Sequence, residues 1–132
     1  MKQEPEPHIK AAYEKAKSNL EKISQLEDTL VIAVENTDKA AVYRNYLDLE
    51  INDIKNPSRI QALYERIVTE LPLFDTFWFD YCRFIDRQFK NVDATMTIFN
   101  RAIRNCPWNS SIWSEYIYAC ERYEKEHGFI SG

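Results

Sequence analysis

The amino-acid sequence predicts an all-α protein built from helical hairpins that repeat along the chain. Sliding the 132-residue sequence against itself by 35 residues superimposes similar side chains, and a repeat of this size is typical of helical arrays. Within each unit, apolar residues recur at steps of three and four, the spacing of one helix face. The first glycine is Gly128, so the chain before it lacks the residue that phosphate-binding loops and two-residue hairpin turns require.

Aromatic residues, a proline and charged residues carry the repeat. Two aromatic positions three residues apart recur in all three units, which is the spacing of neighbours on one helix face. The superimposed sets are Tyr43, Trp78 and Trp113; Tyr46, Tyr81 and Tyr116; Leu63 and Ile98; Tyr64 and Phe99; Arg66 and Arg101; Val68 and Ile103; Pro72 and Pro107; Asp86 and Glu121; Arg87 and Arg122; and Lys90 and Lys125.

A long helix over residues 8–36 is the first predicted element, preceded by a frayed tail over residues 1–7. Asn36-Thr37-Asp38 is expected to end this helix and cap the next one. The apolar stripe favours packing of the helix on its own domain, with self-association in a coiled coil as the alternative. Its members are Ile9, Tyr13, Ala16, Leu20, Ile23, Leu26, Leu30 and Val34.

Two complete hairpins follow, over residues 38–72 and 73–107. In the first hairpin, Asn56 is the expected N-cap of the second helix and Pro57 its first residue. In the second, Asp75 is the expected N-cap of the first helix, and residues 91–93 form the turn. Pro72 and Pro107 end the two units because proline cannot continue a helix.

Residues 108–132 are predicted to hold the first helix of a truncated third repeat, beginning near Ser110 or Ser111. The sequence reaches Gly128 where a second helix is expected. The apolar side of residues 112–123 is therefore expected to lack an intramolecular cover, so that the helix frays or pairs with a second copy.

The recurring aromatic residues are interpreted as packing between helices. Stacking platforms for nucleic-acid bases are the alternative, but a pair that recurs every 35 residues is what each hairpin needs to fill its interior. The predicted packing residues are Tyr43, Tyr46, Tyr64, Pro72, Trp78, Tyr81, Phe99, Pro107, Trp113 and Tyr116.

The sequence offers no catalytic or metal-binding set, so we expect no enzyme activity, no cofactor and no metal. His8 and His127 lie near the two ends of the sequence and do not combine with a nucleophile. Cys82, Cys106 and Cys120 have neither a CxxC spacing nor four zinc ligands, and they are expected to be small buried side chains in a reducing compartment. No apolar stretch approaches the length of about 18 residues that a membrane span needs.

The charge pattern argues against one broad basic face, because the formal net charge is -4. A local basic patch remains over residues 81–104, and its outward-facing cations could meet solvent, an acidic helix, an acidic partner or RNA phosphate. The candidate partner-binding residues are Arg83, Arg87, Lys90 and Arg104.

Other charged residues recur with the repeat and are interpreted as ion pairs that set its register. They are Glu50, Arg66, Asp86, Arg101 and Glu121. Glu50 is displaced by one position, because the 35-residue register superimposes it on Ile85 rather than on Asp86. This displacement leaves the identity of the ion-pair partners open.

These motifs resemble the HAT (half-a-TPR) repeat of RNA-processing proteins over residues 40–127. The resemblance is carried by the aromatic-x-x-Tyr first helix, the acidic residue near its end and the second helix before a proline. The matching runs are Tyr64-Glu65-Arg66-Ile67, Asp86-Arg87-Gln88 and the segment from Asn100 to Trp108.

The resemblance implies a right-handed α-α superhelix that serves as a nuclear scaffold. In this family the arrays hold spliceosomal snRNP proteins and deubiquitinating enzymes, and some arrays form homodimers. The long first helix departs from a standard repeat and resembles a divergent second helix of a preceding unit. No RNP-like sequence is present, so contact with RNA is expected to be indirect or weak. Direct RNA binding and a purely structural spacer or dimer arm stay open as alternatives.

Overall fold

The computed structural model describes residues 7–127, in which all regular structure is helical. Residues 1–6 of the predicted tail and the glycines near the end of the sequence lie outside the described residues. The helices are α1 (Pro7–Ile32), α2 (Asn36–Leu49), a π-helical segment (Glu50–Ile54), α3 (Pro57–Glu70), α4 (Asp75–Phe89), α5 (Val92–Asn105) and α6 (Ser110–His127). The chain divides into two compact units, Met1–Ile60 and Gln61–Gly132.

In the first unit, α1 packs against α2 and the π-helical segment. Within the apolar stripe of α1, Leu30 is buried and Ile23 and Leu26 are half-buried. Ala16 and Leu20 line a pocket together with Ile54 of the π-helical segment. Packing of α1 on its own domain is therefore incomplete in the first half of the helix. Its exposed apolar residues there are Ile9, Tyr13 and Leu20.

The junction between α1 and α2 differs from its prediction. Helix α1 ends at Ile32, and α2 begins at Asn36, which is before the expected repeat boundary at residue 38. Glu35 takes the N-cap position through its backbone carbonyl, which accepts a hydrogen bond from the Lys39 amide at 3.1 Å. No side chain caps the helix. Asn36 and Asp38 already belong to its first turn, so they cannot act as caps.

Helix α2 runs directly into the π-helical segment, which ends at Ile54 and is followed by Lys55. The Lys55 amide donates to the Glu50 carbonyl at 2.7 Å, a bond across five residues, and Lys55 adopts a left-handed conformation with φ of 59°. Helix α3 begins as predicted, because the Asn56 side chain accepts hydrogen bonds from the amides of Ser58 and Arg59. These bonds satisfy two of the free donors at the helix start.

The second unit contains the rest of α3 together with α4, α5 and α6. Helix α4 packs against α5 and α6, and α5 packs against α6. Its core is apolar and rich in aromatic rings. The buried residues are Leu63, Tyr64, Ile67, Val68, Leu71, Phe77, Trp78, Tyr81, Cys82, Ile85, Thr95, Ile98, Phe99, Ala102, Cys106, Ile112, Ala119 and Tyr123.

Two asparagines cap helices in this unit. Asn91 accepts from the Ala94 amide at 3.0 Å at the start of α5, and Asn109 accepts from the Ile112 amide at 3.0 Å at the start of α6. The predicted N-cap at Asp75 is wrong, because Asp75 is the first residue of α4 and Phe74 precedes it. The Asp75 carboxylate accepts instead from the side-chain amide of Asn109 at 2.9 Å.

One side of α6 is covered and the other is open. Ile112, Ala119 and Tyr123 are buried because α6 packs on α4 and α5, so the expectation of an uncovered apolar side is wrong for these positions. Ile117 and Tyr118 are exposed on the same helix. None of the helices described between residues 7 and 127 is long and apolar enough to cross a membrane.

Candidate partner-binding site

Four side chains of the second unit form a network centred on Glu65. Arg101 donates from both terminal nitrogens to the Glu65 carboxylate, at 2.7 and 3.0 Å, and the Tyr81 hydroxyl donates to Oε2 of the same carboxylate. The Arg101 guanidinium also lies 5.3 Å from the ring centroid of Trp78. One carboxylate therefore joins α3, α4 and α5, and this fixes the register of the three helices.

The Glu65 network fixes the protonation of its members. The hydrogen bond from Arg101 lowers the pKa of Glu65 despite partial burial of the carboxylate. Burial raises the pKa of the Tyr81 phenol, and the hydrogen bond and charge of Glu65 raise it further. At neutral pH Glu65 is therefore charged and Tyr81 carries its proton.

A second network joins α4 to α6 around Asp86. Arg122 donates to both carboxylate oxygens of Asp86, at 2.5 and 2.6 Å, and the Tyr123 hydroxyl donates to Oδ1 at 2.8 Å. The Asp86 side chain is 12% exposed, whereas that of Arg122 is 44% exposed. The Asp86 carboxylate thus pairs with the Arg122 guanidinium, and part of the Arg122 side chain remains in contact with solvent.

A cleft of about 520 Å³ opens above this second network, between the end of α4 and the end of α6. We refer to it as the α4–α6 cleft. Arg87 and Lys90 are exposed, and neither forms an ion pair or hydrogen bond with any residue between 7 and 127. Lys90 follows α4 with a left-handed backbone of φ 49°. The lining residues are Asp86, Arg87, Lys90, Arg122, Tyr123 and Glu126.

The structure separates the four candidate partner-binding residues into different environments. Arg87 and Lys90 come together in the α4–α6 cleft, and Arg104 is exposed at the end of α5. Arg83 is half-buried, its guanidinium lies 5.4 Å from the ring centroid of Phe79, and its buried Nε has no hydrogen-bond partner among the described residues. Arg83 therefore exposes less of its side chain than Arg87, Lys90 and Arg104 do.

The repeat-related charges pair with residues that the sequence did not single out as their partners. Asp86 pairs with Arg122 and Arg101 with Glu65, in both cases across 36 residues. Because the repeat is 35 residues long, each pair links successive repeats one position out of register. A search of the sequence for opposite charges 36 residues apart, one more than the repeat length, would have found both pairs. Arg66 and Glu121 are both exposed, and Glu121 has no ion pair within residues 7–127.

Glu50 forms an ion pair inside the first unit. Its carboxylate accepts from Arg59 Nε at 3.1 Å on both oxygens, and Glu50 is 2% exposed while Arg59 is 46% exposed. Glu50 stands where the 35-residue register has the buried Ile85, at the first position of the π-helical segment. Its burial follows from this position, and its distance along the chain from Arg59 is only nine residues.

The predicted packing residues differ in burial. The Trp78 indole donates to the Pro72 carbonyl at 2.8 Å, and the Trp113 indole donates to the Pro107 carbonyl at 2.9 Å, so one hydrogen bond recurs in two repeats. Trp78 is 1% exposed and Trp113 is 41% exposed. Tyr43, Tyr46, Tyr64, Tyr81 and Phe99 are buried, Pro72 and Tyr116 are half-buried, and Pro107 is exposed.

The cysteines lie in packed positions. Cys82 and Cys106 are buried, and burial raises the pKa of both thiols, so they are protonated at neutral pH. Cys120 Sγ lies 3.8 Å from Met96 Sδ. Among residues 7–127, no three histidine, cysteine, aspartate or glutamate side chains are grouped as metal ligands.

Comparison with known proteins supplies a family and named relatives. A family model described as the PRP39 C-terminal HAT repeat matches residues 32–128. The chain is 38% identical over 130 residues to a protein of Mus musculus named spliceosome associated factor 3, U4/U6 recycling protein. It is 40% identical over 119 residues to the Homo sapiens protein of that name and 28% identical over 114 residues to that of Caenorhabditis elegans.

These alignments take in most of this chain and a small part of each relative. They cover 98% of the chain in the mouse comparison and 90% in the human one, but only 13% and 12% of the relatives themselves. The chain therefore spans about an eighth of the length of the curated relatives it matches.

Proposed function

The chain belongs to the HAT-repeat family, as its sequence motifs predict, and from this we propose that it is a non-catalytic protein-binding segment of a pre-mRNA splicing factor. The observation that supports the proposal is the sequence identity of 38% over 130 residues and 40% over 119 residues to two proteins named for U4/U6 recycling. The proposed role is accordingly to help assemble or recycle the U4/U6 snRNP, in the nucleus, by holding its protein components.

The burial of the aromatic residues and the exposure of charged residues support a scaffold function. Most of the recurring aromatic rings are buried between helices and cannot reach a ligand. Charged residues on the exposed faces of α4 and α5 remain available for contact, which is how helical arrays present binding surfaces. We assign the contact with protein partners to Arg87, Lys90 and Arg104, with Arg83 in a supporting position against Phe79.

Three finer points extend the proposal. Deubiquitinating enzymes are candidate partners beside the snRNP proteins, and RNA contact is indirect or weak. The proposal includes a homodimer, which the exposed apolar residues Ile9, Tyr13 and Leu20 of α1 support. The proposed role in protein binding does not involve a cofactor.

Affinity capture from nuclear extract tests the proposal. The intact protein should recover U4/U6 snRNP proteins, and the triple variant Arg87→Glu, Lys90→Glu and Arg104→Glu should recover at least several-fold less, because like charges now face the partner. Mass spectrometry of the captured proteins measures the difference.

A charge-matched control uses three exposed lysines of α1. The variant Lys10→Glu, Lys17→Glu and Lys22→Glu changes the net charge by the same amount and should capture normally. Full recovery by both variants, and by a protein from which this segment has been deleted, would show that the segment is a spacer.

A further inference from the structure

The α4–α6 cleft brings several basic side chains together. The protein carries a formal net charge of -4, yet this cleft presents three cations, Arg87, Lys90 and Arg122. Only Arg122 is paired, and its partner Asp86 is almost buried beneath it. The lining holds a second acid, Glu126, so three basic and two acidic side chains leave the cleft with a net charge of +1.

The position of Lys90 adds to this picture. Lys90 follows the last turn of α4 with a positive φ, a conformation that glycine adopts readily and that is unfavourable for other residues. A lysine in place of glycine keeps a charge at the rim of the cleft. Lys55 occupies the equivalent position 35 residues earlier, also with a positive φ, but it does not line this cleft.

The cleft has the dimensions of a site for side chains rather than for a folded surface. A volume of about 520 Å³ lies within the range of pockets that bury small ligands. The floor is rigid, because Arg122 and Tyr123 are both held by Asp86. A preorganised floor lowers the entropy lost when a ligand binds.

We propose that the α4–α6 cleft binds an acidic peptide segment of a protein partner, whose carboxylates are received by Arg87, Lys90 and Arg122. The proposal rests on the proposed scaffold function and names the chemistry of one of its contacts. Carboxylates suit the site because arginine and lysine donate charge-assisted hydrogen bonds to them.

Two features favour an acidic peptide over RNA. Glu126 lies on the lining and repels a continuous polyanion, whereas a peptide can place neutral residues beside it. Tyr123 is the aromatic residue of the lining, and it is 3% exposed with its hydroxyl bound to Asp86, so its ring cannot stack on a base.

Fluorescence anisotropy with labelled peptides tests the inference. The first probe alternates glutamate with serine, and the second carries glutamine at each glutamate position. The intact protein should bind the glutamate probe and not the glutamine probe. Arg87→Glu with Lys90→Glu should weaken binding about tenfold or more, since both unpaired cations are reversed.

Matched variants separate the cleft from general attraction. Arg87→Lys with Lys90→Arg should retain most of the affinity, and Lys10→Glu with Lys17→Glu should change it less than twofold. Equal binding of the two peptides, or equal loss in the α1 variant, would overturn the assignment. Circular dichroism spectra and melting temperatures confirm that the compared variants are folded.

An RNA arm and the capture experiment complete the test. If oligouridine binds more tightly than the glutamate peptide and is released by Arg87→Glu with Lys90→Glu, the cleft is an RNA site and the proposal fails. If the peptide does not bind but snRNP capture still depends on this segment, the scaffold function stands and the cleft assignment fails. If the peptide binds in the cleft but deletion of this segment leaves snRNP capture unchanged, the scaffold function fails and the cleft assignment stands.

Discussion

At the scale of single residues, two tryptophans with the same hydrogen bond have different environments. Trp78 and Trp113 each donate to the carbonyl of the proline six residues earlier, but only Trp78 is buried. Equivalent positions in a repeat therefore share local geometry without sharing packing. The neighbouring helices decide how much of each ring is removed from water.

We predict that Trp78→Ala lowers the free energy of unfolding by roughly 3 to 5 kcal/mol, because truncating a buried aromatic leaves a cavity. Trp113→Ala should cost less than half as much, since its ring is already partly in water. Urea denaturation of the two variants measures both losses. Similar losses would contradict the burial difference.

The Glu65 network predicts a pH dependence of stability. The pKa of Glu65 is lower in the folded protein than its ordinary value of 4.5, because Arg101 stabilises the carboxylate. A lowered pKa contributes stability that is fully present above the ordinary value and is lost as pH falls through the lower folded-state value. Glu65→Gln should therefore destabilise the protein at neutral pH and progressively less below about pH 4.5.

Thermal unfolding between neutral pH and pH 3 checks this expectation. Glu14→Gln is a suitable control, because Glu14 is exposed on α1 and has no ion pair within residues 7–127. A deficit of Glu65→Gln that stays constant down to the lowest pH would show that the carboxylate contributes through shape rather than charge.

At the scale of helices, the π-helical segment and α4 end in the same way. In both places the chain turns through a lysine with positive φ, Lys55 or Lys90, and an asparagine then caps the next helix. Glycine is the usual residue at such a position. The absence of glycine from the first 127 positions therefore does not mean an absence of left-handed turns.

Lys55→Gly and Lys90→Gly should each stabilise the protein by about 0.5 kcal/mol. The gain from relieving the left-handed conformation is reduced by the larger entropy of glycine in the unfolded chain and by loss of a cation at a helix C-terminus. Lys22→Gly, in the interior of α1, should instead destabilise by about 1 kcal/mol. Melting temperatures of the three variants rank them, and a loss in all three would contradict the turn geometry.

The helix starts show how far sequence patterns specify an element. Asn56 was predicted as a cap because it precedes a proline, and the structure agrees. Asp75 was predicted on the same residue preference, but Phe74 holds the cap position and the Asp75 carboxylate binds Asn109. A cap is decided by backbone geometry within one residue, and a polar side chain near a helix start does not specify that geometry.

At the scale of the whole molecule, charge is the property that limits the choice of ligand. The net charge is -4, and Arg101 and Arg122 are both held in ion pairs with carboxylates of the same chain. Of the basic residues between 81 and 104, the exposed ones with no ion pair to a described residue are Arg87, Lys90 and Arg104.

We expect oligouridine to bind the protein weakly even at low salt. Between residues 81 and 104 only Arg87, Lys90 and Arg104 are exposed without an ion pair to a described residue, so the affinity should fall by no more than about twentyfold between about 50 and 200 mM salt. Anisotropy titrations across that range measure the slope. A steep loss of affinity with salt would favour direct RNA recognition by the basic patch.

The sequence by itself determined the helical class, the 35-residue repeat and the positions of most helices. These features are encoded locally, by apolar residues at helical spacing and by prolines that stop each unit. The HAT-type motifs rest on the same local patterns, and the family match confirms them.

The tertiary structure decided which charges meet and which surfaces remain open. Glu65 and Arg101 are 36 residues apart, and so are Asp86 and Arg122, so their contacts depend on how successive repeats stack. The same stacking buries Trp78, leaves Trp113 exposed and opens the α4–α6 cleft. Periodicity specifies the face of a helix, but the neighbour that covers that face is set only when the helices pack.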